Sequence, residues 1–169
     1  YCQGHFEEAA SHYKKLASDK ENELESNDLW LGCYYHSMAT IYAHTRENSK
    51  ALEYSMRGLS ILEKRVPANH CSLAVAHNNL GCIYANARQF SEAMVEHTIA
   101  LDIGQETLPA AHPILATSYN NIGMLLLEMG QYSQALDPFQ KARSMLEKTL
   151  PSDHPTLAAS YGNIGSVYS

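Results

Sequence analysis

The chain has 169 residues, with 12 Lys and Arg against 18 Asp and Glu and a formal net charge of −6. Between Arg88 and Lys141 it carries no Lys or Arg, so this acidic chain is not expected to neutralise a phosphate backbone, which argues against nucleic acid as a partner. No apolar run is long enough to span a membrane, no secretory signature is present, and Cys2, Cys33, Cys71 and Cys82 form no Cys-x-x-Cys pair; reduced thiols and a cytoplasmic setting are expected.

A period of 42 residues organises the whole chain. It links Gly81, Gly123 and Gly165, with Ala39 one unit earlier; Ala9, Ala51, Ala93 and Ala135; and His70, His112 and His154. Segments 78–119 and 120–161 share 16 of 42 residues without a gap. A fixed period of this length marks units that stack because none can bury its apolar face alone. The predicted units are residues 28–69, 70–111 and 112–153.

Taken in order, Gly4-His5-Phe6-Glu7-Glu8-Ala9 matches Gly130-Gln131-Tyr132-Ser133-Gln134-Ala135. Residues 1–27 are therefore expected to hold the second helix of a truncated repeat, followed by a hydrated acidic connection from Asp19 to Asp28. Each full unit then shows two helical patterns. The first places small or apolar residues at His77, Leu80, Gly81 and Tyr84, the spacing of one helix face, and a further apolar residue, Ile83, well round from it. Such a helix is predicted to be sandwiched between others. The recurrent glycine suggests that the partner helix comes too close for a side chain, with Ala93 and Ala135 facing it.

The second helix carries its stripe on one side only: Phe90, Ala93, Met94, His97, Ala100, Leu101, then Tyr132, Ala135, Leu136, Phe139, Ala142. Glu92, Glu96, Gln134 and Lys141 are expected to face water. Asn48, Ser55 and Gly58 replace Phe90, His97 and Ala100 in the unit 28–69, which predicts the loosest interface there. Pro138 should remove one hydrogen bond from its helix. Between units, Thr-Leu-Pro at 107–109 and 149–151 is followed by His112-Pro113 and His154-Pro155. The prolines suit a first helical turn, and the histidines suit the cap before it. Residues 154–169 are the first helix of a last, truncated repeat, so the chain is expected to be a segment of a longer array with further repeats at both ends.

The aromatic, Leu-Gly and Tyr positions of the first helix, with aromatic-x-x-Ala in the second, resemble the tetratricopeptide repeat. The 42-residue length, Asn-Asn-Leu/Ile-Gly and Leu-Pro-x-x-His-Pro are similar to the kinesin light chain branch of that family. The resemblance covers Gly4 to Tyr168. It implies an all-α, right-handed superhelical solenoid of antiparallel helix pairs, whose first helices line a concave face that binds proteins.

Removing the packed faces leaves one stripe of each first helix for that groove. It contains Cys33, His36, Thr40 and Ala43; Val75, Asn78, Cys82 and Ala85; Thr117, Asn120, Met124 and Leu127; and Ala159, Gly162 and Ser166. No Lys or Arg is among them, whereas tetratricopeptide modules that clamp a terminal carboxylate, and the kinesin light chain groove, use basic residues there. A neutral, partly apolar groove is expected. The predicted partner contacts are His36, Thr40, Asn78, Cys82, Thr117, Asn120, Met124 and Leu127, with the asparagines bonding an extended peptide and Met124 and Leu127 receiving an apolar side chain. Asn79, Asn121 and Asn163 lie nearer the neighbouring unit and are assigned a structural role.

No catalytic residue, cofactor site or metal site is expected. The sequence has no phosphate-cradling glycine loop, nucleophile elbow or His-Glu-x-x-His. His70, His112 and His154 are each a repeat apart, too far to share a metal, and Cys33, His36 and Cys82 lack a fourth ligand. The leading function is a protein-binding scaffold, in one version a kinesin light chain-like adaptor. Alternatives are the recognition region of a larger enzyme, such as a signalling ATPase or an ADP-ribosyltransferase, and a spacer between binding sites elsewhere.

Overall fold

The computed structural model describes residues 29–168 together with Ser11 and Lys15. Apart from those two residues, the truncated repeat expected over residues 1–27 and the connection from Asp19 to Asp28 lie outside the described residues. Seven α-helices make up the rest: α1 (Leu29–His44), α2 (Asn48–Arg65), α3 (Cys71–Asn86), α4 (Phe90–Thr107), α5 (Pro113–Glu128), α6 (Tyr132–Thr149) and α7 (Pro155–Gly165). No strand occurs among the described residues. The starts of α1, α3, α5 and α7 fall 42 residues apart, as do those of α2, α4 and α6.

The starts of α3, α5 and α7 follow from local chemistry. The ring Nδ1 of His70, His112 and His154 accepts the N–H of Ser72, Ile114 and Thr156, each at 3.2 Å. These histidines are N-caps, satisfying a donor that has no partner within the helix. Pro113 and Pro155 occupy the first turn, where a missing N–H loses nothing. The preceding turn closes through the His N–H to the carbonyl of Pro67, Pro109 or Pro151, at 2.8–3.0 Å.

Packing is sequential. α1 lies on α2, α3 on α4 and α5 on α6; each second helix also packs on the next first helix, and α1 touches α3 as α3 touches α5. The first helices are therefore buried on several sides: α3 encloses Leu73, Ala74, Ala76, His77, Leu80, Gly81 and Ile83. The second helices bury one stripe, which in α4 is Ala93, His97, Ala100 and Gly104. This is the all-α solenoid expected from the period.

The recurrent glycine has a different cause from the one the sequence suggested. A Cβ on Gly81 would lie 2.7 Å from the His97 ring, and one on Gly123 would lie 2.6 Å from the Phe139 ring. The close neighbour is a ring, not the partner backbone. The equivalent pair in the first described repeat is Ala39 with Ser55, both buried. A larger residue on the first helix is matched by a smaller one on the second, as close packing at constant volume requires.

The neighbouring layer is solved differently in every repeat. Tyr35 meets Tyr54 edge-on at 5.7 Å between ring centroids. At the equivalent places His77 Nδ1 donates to Glu96 Oε2 at 2.7 Å, and Tyr119 stands where Pro138 is buried. Glu96, expected on the solvated face, is thus turned inward with only 17% of its side chain exposed. α6 continues through Pro138, whose missing N–H leaves the Gln134 carbonyl to water on an exposed stretch. Tyr132 departs from its predicted stripe and is 56% exposed: the Arg88 guanidinium covers the equivalent Phe90 at 5.7 Å, whereas Gly130 has no side chain to cover Tyr132.

The expectation of a loose α1–α2 interface is also corrected. Gly58 lets the helices approach until its Cβ position is 3.3 Å from the Gly32 carbonyl oxygen. Trp30, Tyr34, Tyr35 and Tyr54 pack on the core of Leu31, Met38, Ile41, Tyr42 and Ile61. Asn48 Nδ2 donates to the Asn86 carbonyl at 3.2 Å, tying α2 to α3.

Candidate functional site

The inner wall is built by successive first helices, and asparagines hold them in register. Asn79 Nδ2 donates to His36 Nε2 at 2.8 Å, Asn121 Nδ2 to Asn78 Oδ1 at 3.0 Å, and Asn163 Nδ2 to Asn120 Oδ1 at 2.6 Å. Each rung joins one repeat to the next. Asn79, Asn121 and Asn163 are structural, as their position suggested.

His36, Asn78 and Asn120 are half-buried rather than free side chains. Burial lowers the pKa of His36, favouring the neutral ring that can accept from Asn79. Asn78 and Asn120 commit their carbonyl oxygens to the rungs; their NH2 groups make no other bond among the described residues. Those donors remain unused among the described residues.

Thr40 and Thr117 are exposed, but their hydroxyls donate back to the His36 and Pro113 carbonyls at 3.1 and 3.0 Å, leaving acceptor capacity only. Cys82 is half-buried; burial raises its thiol pKa, and its Sγ accepts from Asn121 Nδ2 at 3.5 Å. Met124 is 40% exposed. Leu127 is half-buried against Leu126, Ala135 and Phe139, so Met124 is the more open apolar side chain of the two.

A cleft of about 760 Å³ runs along the C-terminal ends of α1, α3 and α5. Ala43, Cys82, Ala85 and Met124 belong to both the cleft and the stripe. The members that sequence reasoning missed include Arg46 and Arg88 from the turns within repeats, and His97 from α4. The charge-free groove expected from helix positions is therefore corrected along one edge.

Arg46 and Arg88 adopt φ of 61° and 63°, and Gly130 takes φ 74° at the equivalent place. In each turn two backbone bonds close the helix end, such as Arg46 N–H to the Ala43 carbonyl and Glu47 N–H to that of Tyr42. This is the Schellman arrangement, in which glycine usually occupies the left-handed position. His97 is 1% exposed, its Nδ1 has no partner, and burial lowers its pKa to about 4. No three residues among His, Cys, Asp and Glu converge among the described residues, and no helix there is long and apolar enough to cross a membrane.

The tetratricopeptide repeat family model matches residues 72–148. Among solved structures, BtubC (BKLC) from P. vanneervenii superposes with a TM-score of 0.84 at 25% identity, covering 98% of this chain and 66% of that one. The nearly identical TPR-like repeats of a kinesin light chain candidate from Podosopora anserina give 0.81 at 22%, covering 98% and 78%. The yeast Sti1 TPR2B domain, determined with pHsp70, gives 0.63 at 14%, covering 82% and 97%. This chain thus spans about two thirds of BtubC. Comparison with curated proteins finds no match.

Proposed function

We propose, from the premise that this chain is a tetratricopeptide-repeat array, that its inner wall binds an extended segment of a partner protein without catalysing a reaction. One observation carries this reading: after each helix has packed, the wall still presents Met124 at 40% exposure beside the unused amides of Asn78 and Asn120. An amide donor next to an adaptable apolar side chain suits a peptide backbone followed by a hydrophobic residue. His36, Thr40, Cys82, Thr117 and Leu127 complete the contact surface.

The likeness to kinesin light chain-type repeats supports an adaptor role of that kind. Further repeats on the same chain fit the C-terminal side: Tyr161 and Tyr168 are 50% and 72% exposed, and nothing lies within 4 Å of a Cβ on Gly165. Neither nucleic acid nor a membrane is a partner in this reading.

Peptide-display selection on the 169-residue chain tests it. Selected sequences are expected to weaken about tenfold or more on Met124→Glu and measurably on Asn120→Ala. If every selected peptide binds both variants as it binds the parent, the inner wall is not the binding surface.

A further inference from the structure

The three described helix pairs share one scaffold but not one interior. At the layer of Gly81, His97 stands where the other pairs have Ser55 and Phe139. In the neighbouring layer, His77 and Glu96 stand where the others have Tyr35 with Tyr54 and Tyr119 with Pro138. Of the described pairs, only α3–α4 encloses histidine and carboxylate together at these two layers.

We propose that α3–α4 is an acid-opened joint: protonation drives α4 away from α3 while α1–α2 and α5–α6 stay closed. Geometry supplies the mechanism. An imidazolium has two N–H donors, and each needs an acceptor. The Nδ1 of His97 is buried without a partner, and the ring lies 2.7 Å from the Cβ position on Gly81. The charged ring therefore gains its second hydrogen bond only by leaving Gly81. Burial lowers the His97 pKa from 6.5 to about 4, so the open form takes the proton first. Closure is complete above pH 6.5 and is lost as pH falls towards 4.

The surroundings act in the same direction. His77 Nδ1 and Glu96 Oε2 are 2.7 Å apart and largely shielded; once acid has protonated both, an imidazolium is left there without its counter-charge. On α3 the titratable groups facing α4 are His77, Cys82 and Tyr84; on α5 they are Tyr119 and Glu128. Besides His97, α4 adds only carboxylates, and none of these groups bonds to His97 among the described residues. Arg46, Arg88 and His44 line the cleft that His97 also reaches, and their charge opposes a further cation there. Because repeats in such an array contact only their neighbours, one pair can open without the rest. α4 also packs on α5, so its departure removes the wedge between α3 and α5 and changes the curvature of the array at its middle.

Hydrogen–deuterium exchange on the 169-residue chain at pH 7.5 and 4.5, with labelling times scaled to the intrinsic rates, reads each helix separately. Protection in Phe90–Thr107 is expected to fall about tenfold to a hundredfold, the span set by the open and closed affinities for one proton, while that in Asn48–Arg65 and Tyr132–Thr149 changes by less than about threefold. His97→Phe, which copies the contact of Phe139 with Gly123, should keep α4 protected at pH 4.5. Equal loss across α2, α4 and α6, unchanged protection in α4, or an α4 that opens in His97→Phe as it does in the parent overturns the proposal. The comparison of three helices within the parent decides the matter even if the variant does not fold.

Discussion

Replacing His97 by phenylalanine should stabilise the protein and remove most of its sensitivity to mild acid. His97 is fully enclosed, with Nδ1 unpartnered against Gly81. The equivalent Phe139 sits against Gly123 in nearly the same geometry, 2.6 Å to a Cβ position compared with 2.7 Å, so the site already has the shape of a phenyl ring. An unsatisfied buried polar atom costs about 1–3 kcal/mol, and His97→Phe is expected to recover about 1–2 kcal/mol at neutral pH. The acid effect follows from linkage. The folded pKa lies below the unfolded value, falling from 6.5 to about 4, so the unfolded chain binds the proton first. Stability is complete above pH 6.5, declines as pH falls towards 4 and then levels off. The total decline due to this residue is about 3 kcal/mol, at about 1.4 kcal/mol per tenfold in the equilibrium constant. His36, also lowered by burial, contributes in the same direction. Urea denaturation followed by circular dichroism at pH 7.5 and 4.5 measures both effects. The reasoning is refuted if the variant unfolds at lower urea than the parent at pH 7.5, or if both proteins lose equal stability between the two pH values.

Substituting alanine for glycine should have opposite signs at two sites. Gly123→Ala drives a Cβ into the packed Phe139 ring and is expected to destabilise by about 1–3 kcal/mol; Gly162→Ala in α7 meets nothing within 4 Å and should stabilise by up to about 1 kcal/mol, both read from urea midpoints. His112→Ala removes the cap on α5 and is expected to cost about 1 kcal/mol, lowering Tm by about 2–4 °C, whereas His112→Asn retains an acceptor and most of that stability.

The architecture was legible because a repeat states its own boundaries: capping histidines, first-turn prolines and one-sided second helices all recur at fixed intervals. What one unit alone does was harder to read. Glu92 and Glu96 look equivalent in sequence, yet only Glu96 meets a histidine across the helix pair. Glycine at 81 and 123 signals close approach but not what approaches, because a ring and a backbone leave the same mark in the sequence. The stripe identified the wall but could not show that Asn78 and Asn120 already receive bonds from the next repeat. Arg46 and Arg88 escaped for another reason. Both stand in turns, outside the periodicity of any helix face, and both line the cleft. The sole trace in the sequence is Arg, Arg, Gly at positions 46, 88 and 130.

The asparagine rungs also bear on how the molecule yields under load. They fasten each first helix to the next, whereas the second helices rest on first helices of their own and the following repeat. Bending should therefore open and close gaps along the outer rim while the inner spacing stays nearly constant, as in a chain pinned along one side. A bound polypeptide would keep its footholds while the array flexes around it.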